Sequence, residues 1–330
     1  MIDFQERLRL THPVVQAGMG GGLATAELAA AVTNAGGLGT VGILGHPKHF
    51  AAELRRAREL APGRSIAANL LLPFARQAHF DACVHAGVDA VVVFCGSAPS
   101  GIAQLRRAGI LVLAQVGTPA QAHRAISDGV DGLIAQGIEA GGHLLGVEPA
   151  RVFLERALAL TNGLPVLAAG GIASREKAAA ALDAGAAAVV CGTRFLLTEE
   201  CAAHPEYKRR VLGANRTLET LLFSLGWSDR HRVVPNAATE RWCARSERGP
   251  AGIVRFNRLL APALQRLPPA VATKTLRYQR LTLPLFGPSP LLAGTNQRLI
   301  EVTPLYAGEC AREIATVIPA ADAVRDLSPA

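Results

Sequence analysis

Five times in the first two-thirds of the chain, a glycine ends a helical stretch and an apolar run follows. The copies are Ala35-Gly-Gly-Leu-Gly-Thr-Val-Gly, Ala86-Gly-Val-Asp-Ala-Val-Val-Val, Ala108-Gly-Ile-Leu-Val-Leu-Ala, Asp128-Gly-Val-Asp-Gly-Leu-Ile-Ala and Ala184-Gly-Ala-Ala-Ala-Val-Val-Cys. The glycine suits the left-handed position just past a helix C-terminus. The run after it is too uniformly apolar for a half-exposed strand and reads as a parallel strand covered on both faces. Such strands are predicted to begin near residues 13, 38, 65, 90, 111, 132, 165 and 188. Eight of them, at a spacing of roughly 25 residues and alternating with helices, predict a closed (β/α)8 TIM barrel. An open doubly wound sheet is the alternative.

The repeat fades after about residue 200, where both tryptophans, several prolines and basic helical patterns gather. We therefore assign residues 1–203 and 301–330 to the barrel, and 204–300 to a smaller, mostly helical insertion packed at the barrel mouth. Leu305-Tyr-Ala-Gly-Glu-Cys is expected to be a loop, and Ala311–Leu327 a closing helix.

Composition narrows the class. Half of the 330 residues are hydrophobic and only 5% aromatic, which suits tightly packed parallel strands. No apolar stretch is long enough to span a bilayer, and the N-terminal Met1-Ile-Asp-Phe-Gln-Glu-Arg lacks a signal peptide's apolar segment. The expectation is a soluble, cytoplasmic protein that neither binds nor crosses membranes. Six scattered cysteines without a Cys-x-x-Cys pair predict reduced thiols and argue against a metal site. The net charge of +8 is compatible with an anionic ligand, but an ordinary basic surface is the plainer reading, and the scattered basic residues accompany no nucleic-acid recognition motif.

In a barrel of this kind chemistry belongs to the loops after the strands' C-terminal ends. The longest interval between predicted strands, 132 to 165, holds Glu139-Ala-Gly-Gly-His143. Of the nine histidines, His143 is the only one expected on a loop at the barrel mouth; His12, His46, His49, His79, His85, His123, His204 and His231 fall in helices, helix starts or connectors. A neutral imidazole there is a natural general acid or base, with Glu139 either orienting it or simply solvated. Gly170-Gly171 and Gly192-Thr193 follow the last two strands, where backbone N–H groups and the Thr193 hydroxyl can grip a phosphate; tight turns are the plain alternative. Gln16-Ala17-Gly18-Met19-Gly20-Gly21-Gly22 leaves room for a flat ring against the backbone, with Met19 as a soft contact. It matches neither a Walker loop nor the dinucleotide fingerprint. Asn69 and Gln115 are lone amides at the ends of apolar strands, and need a partner such as a heteroaromatic cofactor or a loop to cap.

These segments are the ones by which the chain resembles the nitronate monooxygenase (2-nitropropane dioxygenase) family. The resemblance runs from Pro13-Val-Val-Gln-Ala-Gly-Met through Gly137-Ile-Glu-Ala-Gly-Gly-His and Ala168-Ala-Gly-Gly-Ile to Cys191-Gly-Thr-Arg-Phe. His204-Pro-Glu-Tyr-Lys and Pro304-Leu-Tyr-Ala-Gly complete it. It implies an FMN-containing barrel in which Ala17, Gly18, Met19, Asn69, Gln115, Gly142, Gly170, Gly171, Gly192 and Thr193 contact the cofactor. It also implies His143 as the base that converts a nitroalkane to its nitronate, which O2 then helps oxidise to a carbonyl compound and nitrite.

The related flavin-dependent enoyl-acyl-carrier-protein reductases share the loop histidine, the glycines and the His-Pro-x-Tyr-Lys segment. They imply an alternative: NAD(P)H-dependent, FMN-mediated reduction of an enoyl-CoA or acyl-carrier-protein thioester. The arginine-rich surface suits such a thioester as well as a nitroalkane. The Gly20-Gly21-Gly22 loop departs from bulkier relatives and leaves the substrate wall open. A flavin-free barrel resembling inosine-monophosphate dehydrogenase would need a nucleophilic cysteine on the loop after strand six, and none lies between Gly137 and Pro149.

Overall fold

The computed structural model describes residues 4–227, 229–265 and 278–329. Residues 1–3 of the N-terminal segment, and Ser228 and 266–277 of the predicted insertion, lie outside the described residues.

The eight predicted strands form where the apolar runs place them. They are β1 (Val14–Gln16), β2 (Gly39–Val41), β3 (Ile66–Leu71), β4 (Ala90–Phe94), β5 (Leu111–Val116), β6 (Gly132–Gln136), β8 (Val166–Ala169) and β9 (Ala188–Cys191). All pair in parallel in the order β1-β9-β8-β6-β5-β4-β3-β2. The ring closes between its first and last members by a parallel bridge at Val15 and Leu38, where Leu38 N donates to Val14 O at 2.9 Å and Gln16 N to Leu38 O at 3.0 Å. The architecture is thus a TIM barrel, and the open sheet is excluded.

Packing follows from the two-sided burial of each strand. One face of the strands sends Val15, Leu38, Val92, Leu113, Ile134 and Leu167 into the barrel interior. Phe4 of the short helix α1 (Phe4–Arg7) and Leu8 join them from the chain's start. Alternate residues such as Val14, Val41, Ala68, Val91, Val112 and Val189 pack against the surrounding helices. Helices α2 (Ala26–Asn34), α3 (Pro47–Leu60), α4 (Gln77–Ala86), α5 (Pro99–Arg107), α6 (Pro119–Ser127), α7 (Ala150–Leu160) and α8 (Arg175–Asp183) follow their strands in turn. Close packing explains one glycine of the repeat. A Cβ on Gly39 would sit 1.8 Å from the Ala29 carbonyl oxygen of α2, so only glycine lets β2 and that helix approach.

The second half differs from expectation in three respects. The segment 204–300 contributes Pro205–Leu212, Ala237–Trp242 and Ala251–Leu264 as helices, and also β10 (Leu218–Thr220) and β11 (His231–Val234). Leu305–Tyr306, expected as loop, is a strand, β12, paired antiparallel to β11. β10 lines one side of β11, and on the other side β7 (Gly142–His143) pairs with it beside β12, so the histidine loop is itself part of this small sheet. The closing helix begins only at Ala320, after Pro319, rather than at Ala311; residues Glu309–Glu313 form a 3-10 turn instead.

Candidate functional site

His143 owes its position to Gln136, an amide that the sequence does not single out. Buried at the end of β6, Gln136 accepts from Leu145 N at 2.7 Å and Gly146 N at 3.2 Å, and donates to His143 O at 3.0 Å. One side chain therefore satisfies three backbone groups of a loop that would otherwise carry them unpaired into the interior. The signal is present in the chain, because Gln136, like Asn69 and Gln115, is a lone amide in an otherwise apolar strand, although β3 and β5 run on past theirs to Leu71 and Val116.

Glu139 does not orient the histidine. Its carboxylate accepts from Ala150 N at 2.9 and 3.2 Å and so caps the first turn of α7, a third role beside the two expected. The loop is further clamped at Gly141, whose Cα lies so near the backbone of Ala307 and Gly308 that a Cβ would meet Gly308 N at 2.3 Å.

The imidazole itself enters an aromatic cluster. Trp227 stacks on it with ring centroids 3.5 Å apart and planes 11° from parallel. Tyr306 and His231 lie 5.3 and 5.6 Å away, and Phe74 and Phe94 pack edge-on against the Trp227 indole. His143 Nε2 is buried and has no hydrogen-bond partner among the described residues. Burial, helped by the neighbouring His231, holds its pKa well below the usual histidine value. The ring is therefore a neutral imidazole whose buried Nε2 is left unpaired among the described residues of this aromatic cluster.

Two arginines beside the loop, Arg230 and Arg232, are already engaged. Arg230 pairs with Glu219 at 3.0 Å and donates to Gly146 O, while Arg232 pairs with Glu309 at 3.2 Å and donates to Ile138 O.

His231, expected from sequence in a helix, helix start or connector, is instead a fully buried strand residue. Phe223 N donates to its Nε2 at 3.3 Å, and its Nδ1 faces Asp229 O at 3.2 Å. A neutral ring protonated at Nδ1 satisfies both contacts, and an added proton on Nε2 would break one. Burial pulls its pKa down to about 4. The unfolded chain titrates near 6.5, so between those values it binds a proton that the folded protein refuses. Stability is thus complete above the unfolded pKa and falls as pH drops from about 6.5 to about 4, by about 3 kcal/mol for this residue at about 1.4 kcal/mol per pH unit. Denaturant midpoints at pH 7.5 and 4.5 should show this drop, and His231→Gln should make it smaller. Equal drops in both proteins would remove His231 as the cause.

The other residues expected in the site converge on the same end of the barrel. Gly170 and Gly171 have φ of +118° and +70°, a conformation that favours glycine. Cβ positions there would face Gly137 N at 3.2 Å and Glu139 Cβ at 3.1 Å, which sets this pair directly under the histidine loop. Gly192 opposes Ala17, whose Cβ lies 3.7 Å from the position a Cβ would take. The backbone N–H groups of Gly170, Gly171 and Gly192 donate to no backbone carbonyl among the described residues. Thr193 Oγ1 accepts from Gly308 N at 2.9 Å, linking the last strand to the segment that clamps Gly141; the expected donor hydroxyl is thus also an acceptor.

Gly18 lies against Asn69, where a Cβ would come within 2.1 Å of the Asn69 Cβ. Asn69 Nδ2 donates to Val92 O at 3.3 Å, but its Oδ1 is buried without a partner among the described residues. Met19 is partly buried against the outer core. Gln115 stands in register between Phe94 and Ile134, half-buried, two residues beyond Leu113, which aligns through Val92 with Asn69. Gly142, at φ +75°, opens onto free space. The Gly20–Gly22 turn is backed by Pro290 and Leu292, whose carbons would meet Cβ atoms on Gly21 and Gly22 at 3.0 and 2.9 Å.

These features fit a flavin nucleotide. An unpaired Asn69 oxygen asks for a donor, as a ring N–H provides. Free backbone N–H groups beside cramped glycines ask for an anion, as a phosphate provides. Among the described residues no helix is long and apolar enough to cross a membrane.

Comparison with known proteins agrees with the geometry. The family model described as nitronate monooxygenase matches residues 3–86 and 73–265. A nitronate monooxygenase of Pseudomonas aeruginosa is 33% identical over 270 residues, spanning 67% of this chain and 77% of that protein. A hydroxy-methyl-oxo-octahydro-indene-carboxyl-CoA dehydrogenase of Mycobacterium tuberculosis is 35% identical over 221 residues, which is 63% of this chain and 59% of the relative. Among solved structures, the nitroalkane oxidase of Streptomyces ansochromogenes superposes with a TM-score of 0.75 at 27% identity, covering 96% of this chain and 95% of its own.

Proposed function

The chain belongs to the nitronate monooxygenase family of flavin-dependent oxidoreductases, and on that premise we propose that it is an FMN-dependent nitronate monooxygenase in which His143 is the base. The observation that carries this reading is the buried, unpartnered Nε2 of a neutral His143 beside the glycines of the last two strands. A neutral nitroalkane carries a C–H acidified by its nitro group. An imidazole kept unprotonated by burial is competent to accept that proton at Nε2 at physiological pH. The enclosure of Trp227, Phe94 and Tyr306 gives a small uncharged substrate an apolar surface, and Arg230 and Arg232 beside the loop are already paired.

The residues that would hold FMN divide by chemistry. The N–H groups of Gly170, Gly171 and Gly192 and the Thr193 hydroxyl suit its phosphate. Ala17, Gly18, Met19 and Gly142 leave room for its ring, while Asn69 and Gln115 offer amides to the ring's polar edge. Bound FMN supplies the redox chemistry, taking electrons from the nitronate for delivery to O2, with a carbonyl compound and nitrite as products.

A second reading has its own support: a relative is a CoA-thioester dehydrogenase, and net charge is +8. It is NAD(P)H-dependent, FMN-mediated reduction of an enoyl-CoA or acyl-carrier-protein thioester. Anaerobic mixing separates the two. Bleaching of the yellow protein by an alkyl nitronate but not by NADH or NADPH is expected. Fast bleaching by either nicotinamide, with none by nitronate, would replace the first reading by the second. A colourless protein that takes up no FMN would sink both.

A further inference from the structure

Trp227 does more than line the enclosure, because its ring lies flat on His143 while its indole N–H is fixed at the other side. Trp227 Nε1 donates to Asp229 Oδ2 at 2.6 Å, a short charge-assisted bond. Cys95, on the turn after β4, donates its thiol to the same oxygen at 3.1 Å. Cys95 adopts φ +60°, an uncommon conformation for a non-glycine residue, so its backbone is held in a sparsely populated state at this contact. Asp229 is therefore moored to the barrel through Cys95 and to the insertion through its own chain, and it holds the indole from both.

We propose that Asp229 and Trp227 are positioning residues for His143: the carboxylate fixes the indole, and the indole fixes the plane of the imidazole so that Nε2 faces the substrate. This rests on the reading of His143 as the base. The physical need is plain from the loop. His143 is tied down by its backbone through Gln136 and β11, yet neither contact sets its ring torsion. Nε2 has no hydrogen-bond partner among the described residues, whereas both ring nitrogens of His231 are held by the backbone. Stacking on a fixed aromatic plane is the restraint that remains, and such pairs favour one orientation without consuming the nitrogen needed for chemistry. The titratable and charged groups around the ring are His231 and Tyr306 from β11 and β12, and Asp229 itself beyond the indole.

The stack has a spectroscopic signature. A histidine Hε1 proton over an indole face is shifted upfield by the ring current. In the FMN-loaded protein, one of nine histidine Cε1–Hε1 signals should lie apart from the other eight and vanish in His143→Gln. Asp229→Ala should return that signal toward the group and lower kcat for a neutral nitroalkane by roughly ten- to a hundredfold, the scale of a misplaced catalytic group. Turnover of preformed nitronate should change less than about twofold, since it needs no proton abstraction. Asp229→Asn, whose amide oxygen still accepts from the indole, should keep most of the shift and most of kcat.

If Asp229→Ala folds poorly, Trp227→Phe removes the N–H donor and keeps a ring. It should show the same losses, and the double variant should be no worse than either single. An unchanged Hε1 position in both Asp229→Ala and Trp227→Phe would overturn the clamp. Equal displacement in Asp229→Asn and Asp229→Ala would overturn the hydrogen bond as its cause. Failure of the base reading looks different: the shifts would appear as stated, while His143→Ala would keep full turnover of the neutral substrate.

Discussion

His143→Ala is expected to keep its FMN and lose turnover of neutral nitroalkanes by about 10²–10⁴-fold, the usual worth of a positioned general base. Turnover of preformed nitronates should fall less than about tenfold, because the proton is already gone before the substrate arrives. The contrast between the two substrates matters more than either loss. A histidine that merely bound the substrate would be missed equally by both. Retained yellow colour shows that the site still assembles, since no proposed FMN contact involves the imidazole. The pH profile should agree. With its pKa held below the ordinary range by burial and by His231, wild-type kcat/KM on neutral substrate should stay flat at neutral pH and decline only well on the acid side. Equal losses on nitroalkane and nitronate would show that His143 binds or orients and that the proton leaves by another route.

How much of this is visible in the amino-acid sequence depends on the range of the interaction that decides each feature. The barrel is legible because every repeat carries its own instruction: a glycine such as Gly87 at φ +61° stops α4, and the run Ala90–Phe94 can be satisfied only by burial on both faces. The small second sheet is not legible. β10, β11 and β12 are two to four residues long, and β12 lies some seventy residues from the strand it joins, as 305 against 234 shows. No local turn or alternation announces a pairing of that kind.

The same distance hides the histidine's surroundings. The Glu139-Ala-Gly-Gly-His143 stretch marks a glycine-lined loop with one imidazole. Its burial is decided by Trp227, His231 and Tyr306, which tertiary packing delivers from elsewhere. Asn69 shows the intermediate case. A lone amide in an apolar strand correctly signals an unmet polar group, and its Oδ1 finds no partner among the described residues. Glu139 misleads for a simple reason: a carboxylate four residues from a histidine looks like its partner, but the N-terminus of α7 offers an N–H closer to hand.

The two adjacent glycines of the histidine loop should behave in opposite ways, although sequence treats them alike. A Cβ on Gly141 would meet Gly308 N at 2.3 Å and Ala307 C at 2.4 Å, both backbone atoms with no torsion to turn aside. Gly141→Ala must therefore push the loop off the 307–309 segment or push that segment off Thr193, whose hydroxyl holds Gly308 N at 2.9 Å. Either movement reaches the imidazole or the phosphate glycines. A shift near 1 Å at a catalytic group costs about 10²-fold in turnover, and overpacking costs about 1–3 kcal/mol in stability.

Gly142 has no neighbour within 4 Å of the place its Cβ would take, and its cost is the φ of +75° alone. Gly142→Ala should then lose only about 1 kcal/mol of stability, and any larger loss of turnover should come with loss of FMN from the space proposed for its ring. Denaturant midpoints and nitroalkane turnover of the two variants, measured side by side, decide the matter. If Gly142→Ala proves as damaging as Gly141→Ala, the space beside Gly142 is required by something bound there, and flavin retention in that variant would show whether the ring is what fills it.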